Sequence, residues 1–159
     1  MDHDLIDNLP LFRGLTPEQL VEMEKIFLPC DYYAGTTLFE QGSPAEYLFV
    51  VVVGEVVVNF KPDDGPVIVV SHIQPGGVVG WSAALGSRLY TSGASCTTYT
   101  QLLRVRGSDL RQLCLQHSDT GVLVLERLAT VIAERLNSTH ALVMSLLKMG
   151  LTPIENLEI

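Results

Sequence analysis

Hydrophobic positions along the chain fall into three textures. Near the N-terminus, Leu20, Met23, Ile26 and Phe27 recur three and four apart, the spacing of one helical face. Thr16 followed by Pro17 suits an N-cap and a first helical residue. Leu11, Phe12 and Leu15 precede that cap as anchors onto a core, and the helix is expected to stop near Pro29. From Asp31 to Arg106 the pattern shortens to β-branched and aromatic runs separated by Gly, Pro, Asp and Ser. Strands are predicted at Thr36–Phe39, Tyr47–Val53, Glu55–Phe60, Val67–Ile73, Ala94–Thr98 and Gln101–Arg106, with turns at Gln41–Pro44, Lys61–Pro66 and Pro75–Gly77. Short strands at this density point to a closed or nearly closed antiparallel structure.

After Gly107 the helical spacing returns. Ser108 is placed to cap a short helix carrying Leu110, Leu113 and Cys114. A longer helix is predicted from about Asp119 to Met149, closed by Gly150 and Pro153. Leu125, Ala129, Ile132, Leu136, Thr139, Val143 and Leu146 alternate steps of four and three along it, the register of a coiled-coil seam. Two readings of that seam stand: packing on its own domain, or pairing with a second copy. A helix of ~45 Å overhangs one small β domain, which favours a parallel homodimer. The predicted class is mainly β with flanking helices: a double-stranded antiparallel β-roll, jelly-roll-like, with an N-terminal helix and a long C-terminal dimerisation helix. The chain is read as one domain, 1–159, with the N-terminal helix, roll and short helix over 9–118 and the long helix over 119–149.

Composition narrows the function classes. The chain has 159 residues, 47% of them apolar and 18% charged, enough to bury one core. A formal net charge of −8 disfavours a surface that coats nucleic acid or anionic lipid. Cys30, Cys96 and Cys114 form no C-x-x-C pair and read as small core thiols of a reducing cytoplasm. The start, Met1-Asp2-His3-Asp4, lacks a basic signal-peptide segment, and the apolar run Leu48–Val53 is far short of the ~20 residues that span a bilayer. His3, His72, His117 and His140 are scattered, without i, i+4 pairing, and neither a P-loop nor a Gly-x-Ser-x-Gly elbow occurs. Asp63-Asp64-Gly65 is a turn with too few ligands for calcium. The expectation is a cytoplasmic non-enzyme with no metal site and no membrane contact.

Three segments carry a family resemblance: Gly42-Ser43-Pro44-Ala45-Glu46-Tyr47 through Val53-Gly54-Glu55-Val56, the entry Leu15-Thr16-Pro17-Glu18-Gln19-Leu20, and Pro75-Gly76-Gly77-Val78-Val79-Gly80. Over residues 9–148 the chain resembles the cyclic-nucleotide-binding domain of the catabolite activator protein superfamily. The resemblance makes Gly80 to Ala94 the phosphate-binding cassette, a short helix whose first amides face an anion. It implies ligand contacts from Gly80, Trp81, Ser82 and Ala83, and from the later Arg88, Tyr90, Thr91 and Ser92. Trp81 stands where nucleotide-binding members carry a Glu for the ribose hydroxyl, and Tyr90 stands where they carry an Arg for the phosphate. Hydrogen bonds to charged groups contribute about 1.5–3 kcal/mol each, so their loss weakens cyclic-nucleotide binding by at least ~10²-fold.

Several residues offer replacement contacts. Arg88 can swing toward the cassette helix, and Tyr90, Thr91, Ser92 and Ser95 can donate hydroxyl hydrogen bonds. Each also has a plainer role. Trp81 either plugs the pocket or stacks on a ligand ring, Arg88 either meets a phosphate or sits in solvent, and Tyr90 either caps the core or meets the ligand. Ser82 either binds or only caps the cassette helix. Arg135, Asn137 and Ser138 face either a pocket or solvent. The Gly-Trp-Ser-Ala start with its later Tyr-Thr resembles a recurrent bacterial subclass.

The leading expectation is a regulatory module that senses a small anion, a cyclic nucleotide being one candidate, and reports through the dimer helix to a protein partner. The rival is a degenerate, ligand-free dimeric scaffold. A DNA reader with a helix-turn-helix needs more chain and more basic residues than the roughly ten positions after the long helix provide, so direct nucleic-acid contact is not expected.

Overall fold

The computed structural model describes residues 3–157, with the backbone alone at 3, 5, 138–143, 145–146 and 149–157. A short helix, α1 (His3–Asp7), and a 3-10 turn at Pro10–Phe12 lead into α2 (Pro17–Ile26). Thr16 caps α2 as expected: its hydroxyl accepts from the Gln19 amide at 3.2 Å while the Gln19 side chain accepts from the Thr16 amide at 2.9 Å. Eight strands follow: β1 (Leu28–Tyr32), β2 (Thr37–Phe39), β3 (Tyr47–Val53), β4 (Val56–Phe60), β5 (Ile68–Ile73), β6 (Val78–Val79), β7 (Gly93–Cys96) and β8 (Thr100–Arg106). Between β6 and β7 lies the four-residue helix α3 (Trp81–Ala84). The chain closes with α4 (Gly107–Gln116) and α5 (Ser118–Leu157).

The strands form two antiparallel sheets in the orders β1-β8-β3-β6 and β2-β7-β4-β5. In β3, Leu48, Val50 and Val52 join a cluster with Leu11, Phe12, Met23, Leu103, Leu110, Val124, Leu128 and Val131 beneath the helices. Phe49 and Val51 face the other way, into a second cluster between the sheets with Phe39, Val56, Val58, Tyr90 and Leu102. Burial on both faces is why β3 is an uninterrupted apolar run rather than an alternating one. The fold therefore agrees with the predicted class.

Four local expectations are corrected. Two strands were not anticipated: β1 contains Pro29, which an edge strand tolerates because no neighbour needs its missing N–H, and β6 has only two residues. Helix α2 ends at Ile26, with Phe27 as its C-cap, before reaching Pro29. Ser108 does not cap α4; Arg106 precedes the first turn without a side-chain cap, because Gly107 starts the helix against the Ala83 carbonyl, where a side chain has no room. Finally, α5 runs through Gly150 and Pro153 to Leu157, making it about 60 Å long at 1.5 Å per residue. Extending a formed helix gains a hydrogen bond per residue, so one Gly, costing about 1 kcal/mol, does not end it, whereas Pro153 forfeits one such bond.

α5 carries two apolar stripes, one residue apart. Val124, Leu128 and Val131 are buried against the domain's own core. Leu125, Ala129 and Leu136 of the predicted seam are exposed, while Ile132 packs against the edge of the core cluster. Thr139, Val143 and Leu146 lie outside the residues whose side chains are described.

Candidate ligand site

The cassette begins where β6 ends. Gly80 has a left-handed backbone, φ 79°, and is the N-cap of α3. A Cβ on Gly80 would sit 2.6 Å from the Tyr47 carbonyl oxygen and 3.3 Å from the Phe39 and Tyr90 rings. The close approach that glycine permits is therefore first of all to the protein's own strand. The capping role weighed for Ser82 falls to Gly80; Ser82 lies inside α3, 7% exposed, with its carbonyl accepting from the Ser87 amide at 2.9 Å.

A cavity of about 350 Å³ opens beside α3, walled by Phe39, Val58, Phe60 and Val70, the cassette residues Gly80, Trp81, Ser82, Tyr90, Thr91 and Ser92, and Arg135 from α5. Six of the eight sequence-predicted site residues thus meet in one wall. Trp81 does not plug the space. It is partly buried against the helical core, and the Arg135 guanidinium lies 4.5 Å from its ring centroid. That is cation–π distance, so one face of the indole is taken by the protein's own cation. Burial lowers the pKa of Arg135, but an arginine stays charged at any physiological pH.

Ala83 and Arg88, the other two expected contacts, do not line this cavity. Ala83 is 1% exposed; its amide donates to the Gly80 carbonyl at 3.1 Å and its carbonyl accepts from Arg111 Nη1 at 2.6 Å. Arg88 sits on the exposed outer side of the turn, where its carbonyl accepts from the Ala45 amide at 2.9 Å. Arg88 is exposed and is not among the residues that line the cavity.

Tyr90 lines the cavity with its ring only. Its hydroxyl donates to the Tyr47 carbonyl at 2.6 Å and accepts from the Tyr47 amide at 2.9 Å, while its ring stacks on Phe39 at 3.8 Å. β6 pairs with β3 only at Phe49 and Val50, so the next outward-facing main-chain groups of β3, those of Tyr47, lose their strand partner as the chain turns off at Gly80. The Tyr90 hydroxyl takes that place. A hydroxyl has one proton, so none remains to donate to an anion. Desolvation is the main cause that raises the Tyr90 pKa, and the Tyr47 backbone bond opposes it.

Sequence reasoning left Arg135 open and missed Phe39, Val58, Phe60 and Val70. Both signals were present. Arg135 follows Val131 by four on the stripe Val124, Leu128, Val131, so it is a cation on the inward face of α5. Val58 and Phe60 share the period-two face of β4. Asn137 is exposed, Ser95 is not part of the wall, and the Ser138 side chain lies outside the described residues. Among the described residues no group of three or more His, Cys, Asp or Glu could hold a metal ion, and no helix is long and apolar enough to cross a membrane.

The family model for the cyclic nucleotide-binding domain matches residues 29–117. The CRP-like cAMP-activated global transcriptional regulator of Mycobacterium tuberculosis is 23% identical over 137 residues. That match covers 86% of this chain but 59% of the relative, so the chain spans less than two thirds of the relative's length. The catabolite activator protein of Thermus thermophilus is 27% identical with a TM-score of 0.69, over 87% of this chain and 63% of that one. A cyclic nucleotide-binding domain from Methylobacillus flagellatus superposes with a TM-score of 0.79 at 17% identity, over 89% and 80% of the two chains, a likeness of fold alone.

Proposed function

The chain belongs to the cyclic nucleotide-binding domain family, and from that premise we propose that it is a regulatory module that admits a small anion beside α3 and reports it through α5. The observation that carries this reading is the open cavity with Trp81 in its wall rather than in its space. An indole-filled pocket would favour the ligand-free scaffold instead, and the space of about 350 Å³ lies within the ~300–1,000 Å³ of small-molecule sites. A cyclic nucleotide is the first candidate, because the mycobacterial relative is cAMP-activated. With Trp81 and Tyr90 in the two anchor positions, such a ligand binds more weakly than in members that keep both charges.

The report is a population shift: ligand favours one position of α5, whose cation Arg135 already touches the cassette through Trp81. α5 in turn pairs with a second copy through Leu125, Ala129, Ile132, Leu136, Val143 and Leu146. Exposure of Leu125 at 45% and of Leu136 at 54% supports that pairing, since the own-domain stripe is the neighbouring one. The net charge of −8 disfavours direct nucleic-acid contact.

Calorimetry with cyclic AMP, cyclic GMP and cyclic dinucleotides, together with native mass spectrometry of freshly purified protein, tests the reading. Heat at micromolar to millimolar ligand, or a retained anionic small molecule, is expected. Silence in both sinks the sensing role and leaves the dimeric scaffold. Light scattering checks the readout: a dimer that Leu136→Asp converts to a folded monomer is expected, and a monomeric wild type refutes α5 pairing.

A further inference from the structure

The part of the cavity wall that α3 supplies is a single helical turn, and its far end is held from outside the cavity. α3 closes with a Schellman cap. Gly86 has a left-handed backbone, φ 80°, its amide donates to the Ala83 carbonyl at 3.3 Å, and the Ser87 amide donates to the Ser82 carbonyl at 2.9 Å. The Ala83 carbonyl also accepts from Arg111 Nη1 of α4, at the shorter distance of 2.6 Å. The guanidinium has a built seat. A Cβ on Gly107 would lie 3.1 Å from Arg111 Nη1 and would overlap the Ala83 carbonyl, and a Cβ on Gly86 would lie 3.8 Å from the same nitrogen. Two glycines thus leave the space in which the carbonyl end of α3 meets α4, and Arg111 closes that contact with a charge-assisted bond, a class stronger than neutral pairs.

Resting on the sensing reading above, we propose that Arg111 is a positioning residue for the ligand site: from α4 it fixes the carbonyl end of α3 and so sets where Trp81 and Ser82 stand in the cavity wall. Trp81 and Ser82 line the cavity, whereas Ala83 and Arg111 do not, so Arg111 acts through α3 and not by contact with ligand. The other end of the turn has no side-chain cap; it is placed by the close packing of Gly80 against the Tyr47 carbonyl. Four residues make barely one turn, so a shift at Ala83 carries Trp81 and Ser82 with it. Without the Arg111 bond the turn samples other tilts about Gly80. Ligand then meets a wall that is correctly placed in only a fraction of the molecules, and apparent affinity falls by that fraction.

Arg111 is an exposed residue, so substitution there spares the core. Arg111→Met removes the donors at similar length, and Arg111→Lys restores a cation that can donate. Trp81 is the only tryptophan of the chain, so its indole N–H gives a single NMR resonance that reports the α3 wall without any ligand. In full-length, ligand-free protein, Arg111→Met is expected to shift that resonance and to speed hydrogen exchange of the Ser87 amide at least tenfold relative to the Phe49 amide of β3, with Arg111→Lys returning both toward wild type. Calorimetry with cyclic AMP should then give a Kd raised about fivefold or more by Arg111→Met and less by Arg111→Lys. An unmoved Trp81 resonance, exchange that quickens equally at Ser87 and Phe49, or a Kd within twofold of wild type for Arg111→Met each overturns the proposal while leaving the sensing role intact. If the wild type gives no heat with cyclic AMP at millimolar concentration, the sensing reading fails for that ligand, and the resonance and exchange measurements still decide whether Arg111 places α3.

Discussion

Replacing Tyr90 by Phe removes one oxygen and preserves the ring stack on Phe39 at 3.8 Å. What is lost is the hydroxyl that donates to the Tyr47 carbonyl at 2.6 Å and accepts from the Tyr47 amide at 2.9 Å. Tyr90 is 5% exposed, so water has poor access to the gap left behind. Leaving a buried donor or acceptor without a partner costs about 1–3 kcal/mol each. Two partly buried main-chain groups at the lower end of that range give about 2–4 kcal/mol, a large share of the 5–15 kcal/mol that typically holds a domain together. Urea denaturation should show a lower midpoint with an unchanged m-value, because the surface exposed on unfolding is the same. Hydrogen exchange gives the residue-level check: the Tyr47 amide should lose protection while the Phe49 amide, further along β3, keeps it. A stability loss below about 0.5 kcal/mol with Tyr47 still protected would refute the assignment of this hydroxyl to the strand edge.

Three further outcomes follow from the same contacts. Gly80→Ala should destabilise by about 2 kcal/mol or more in a urea titration, since left-handed backbone and an overpacked Cβ, 2.6 Å from the Tyr47 oxygen, both oppose it; a loss under 1 kcal/mol contradicts the geometry. Glu55 accepts from Thr97 Oγ1 at 2.8 Å, from Gln74 Nε2 at 2.6 Å and from His72 Nδ1 at 3.2 Å, and these bonds, Thr97 first, lower its pKa. A depressed carboxyl stabilises the fold above its unfolded pKa, about 4.3, and that contribution disappears as pH falls through the lowered folded value. Glu55→Gln should therefore flatten the acid limb of the stability–pH curve, and an unchanged limb counts against the network. Cys96, 1% exposed with its thiol pKa raised chiefly by burial, should alkylate only as the protein unfolds, whereas half-buried Cys30 and Cys114 react earlier; mass spectrometry after timed iodoacetamide treatment reads the order, and early loss of Cys96 contradicts its placement.

Much of the fold was legible in local pattern, because periodicity and turn chemistry act within a few residues. Thr16-Pro17 marks the start of α2, Tyr47–Val53 coincides with β3, and the glycine after Val79 marks the cassette. Boundaries failed where a distant contact overrode local preference: Pro29 inside β1 is acceptable only because that strand is an edge, and Gly107 starts α4 because the Ala83 carbonyl leaves no room for a side chain. The coiled-coil register of α5 was readable, yet two adjacent stripes are apolar, and nothing local says which one meets the domain.

The amino-acid order by itself determined a β-roll between helices and the left-handed glycine that opens α3, both of which are matters of residue identity and spacing. Only the tertiary structure decided which residues line the cavity beside α3. It sends Arg88 outward, commits the Tyr90 proton to Tyr47 and brings Arg135 over Trp81 from 54 residues away in sequence. Such choices depend on which main-chain groups lack a partner once the sheets and helices have packed, and that deficit does not exist in the chain until it has folded.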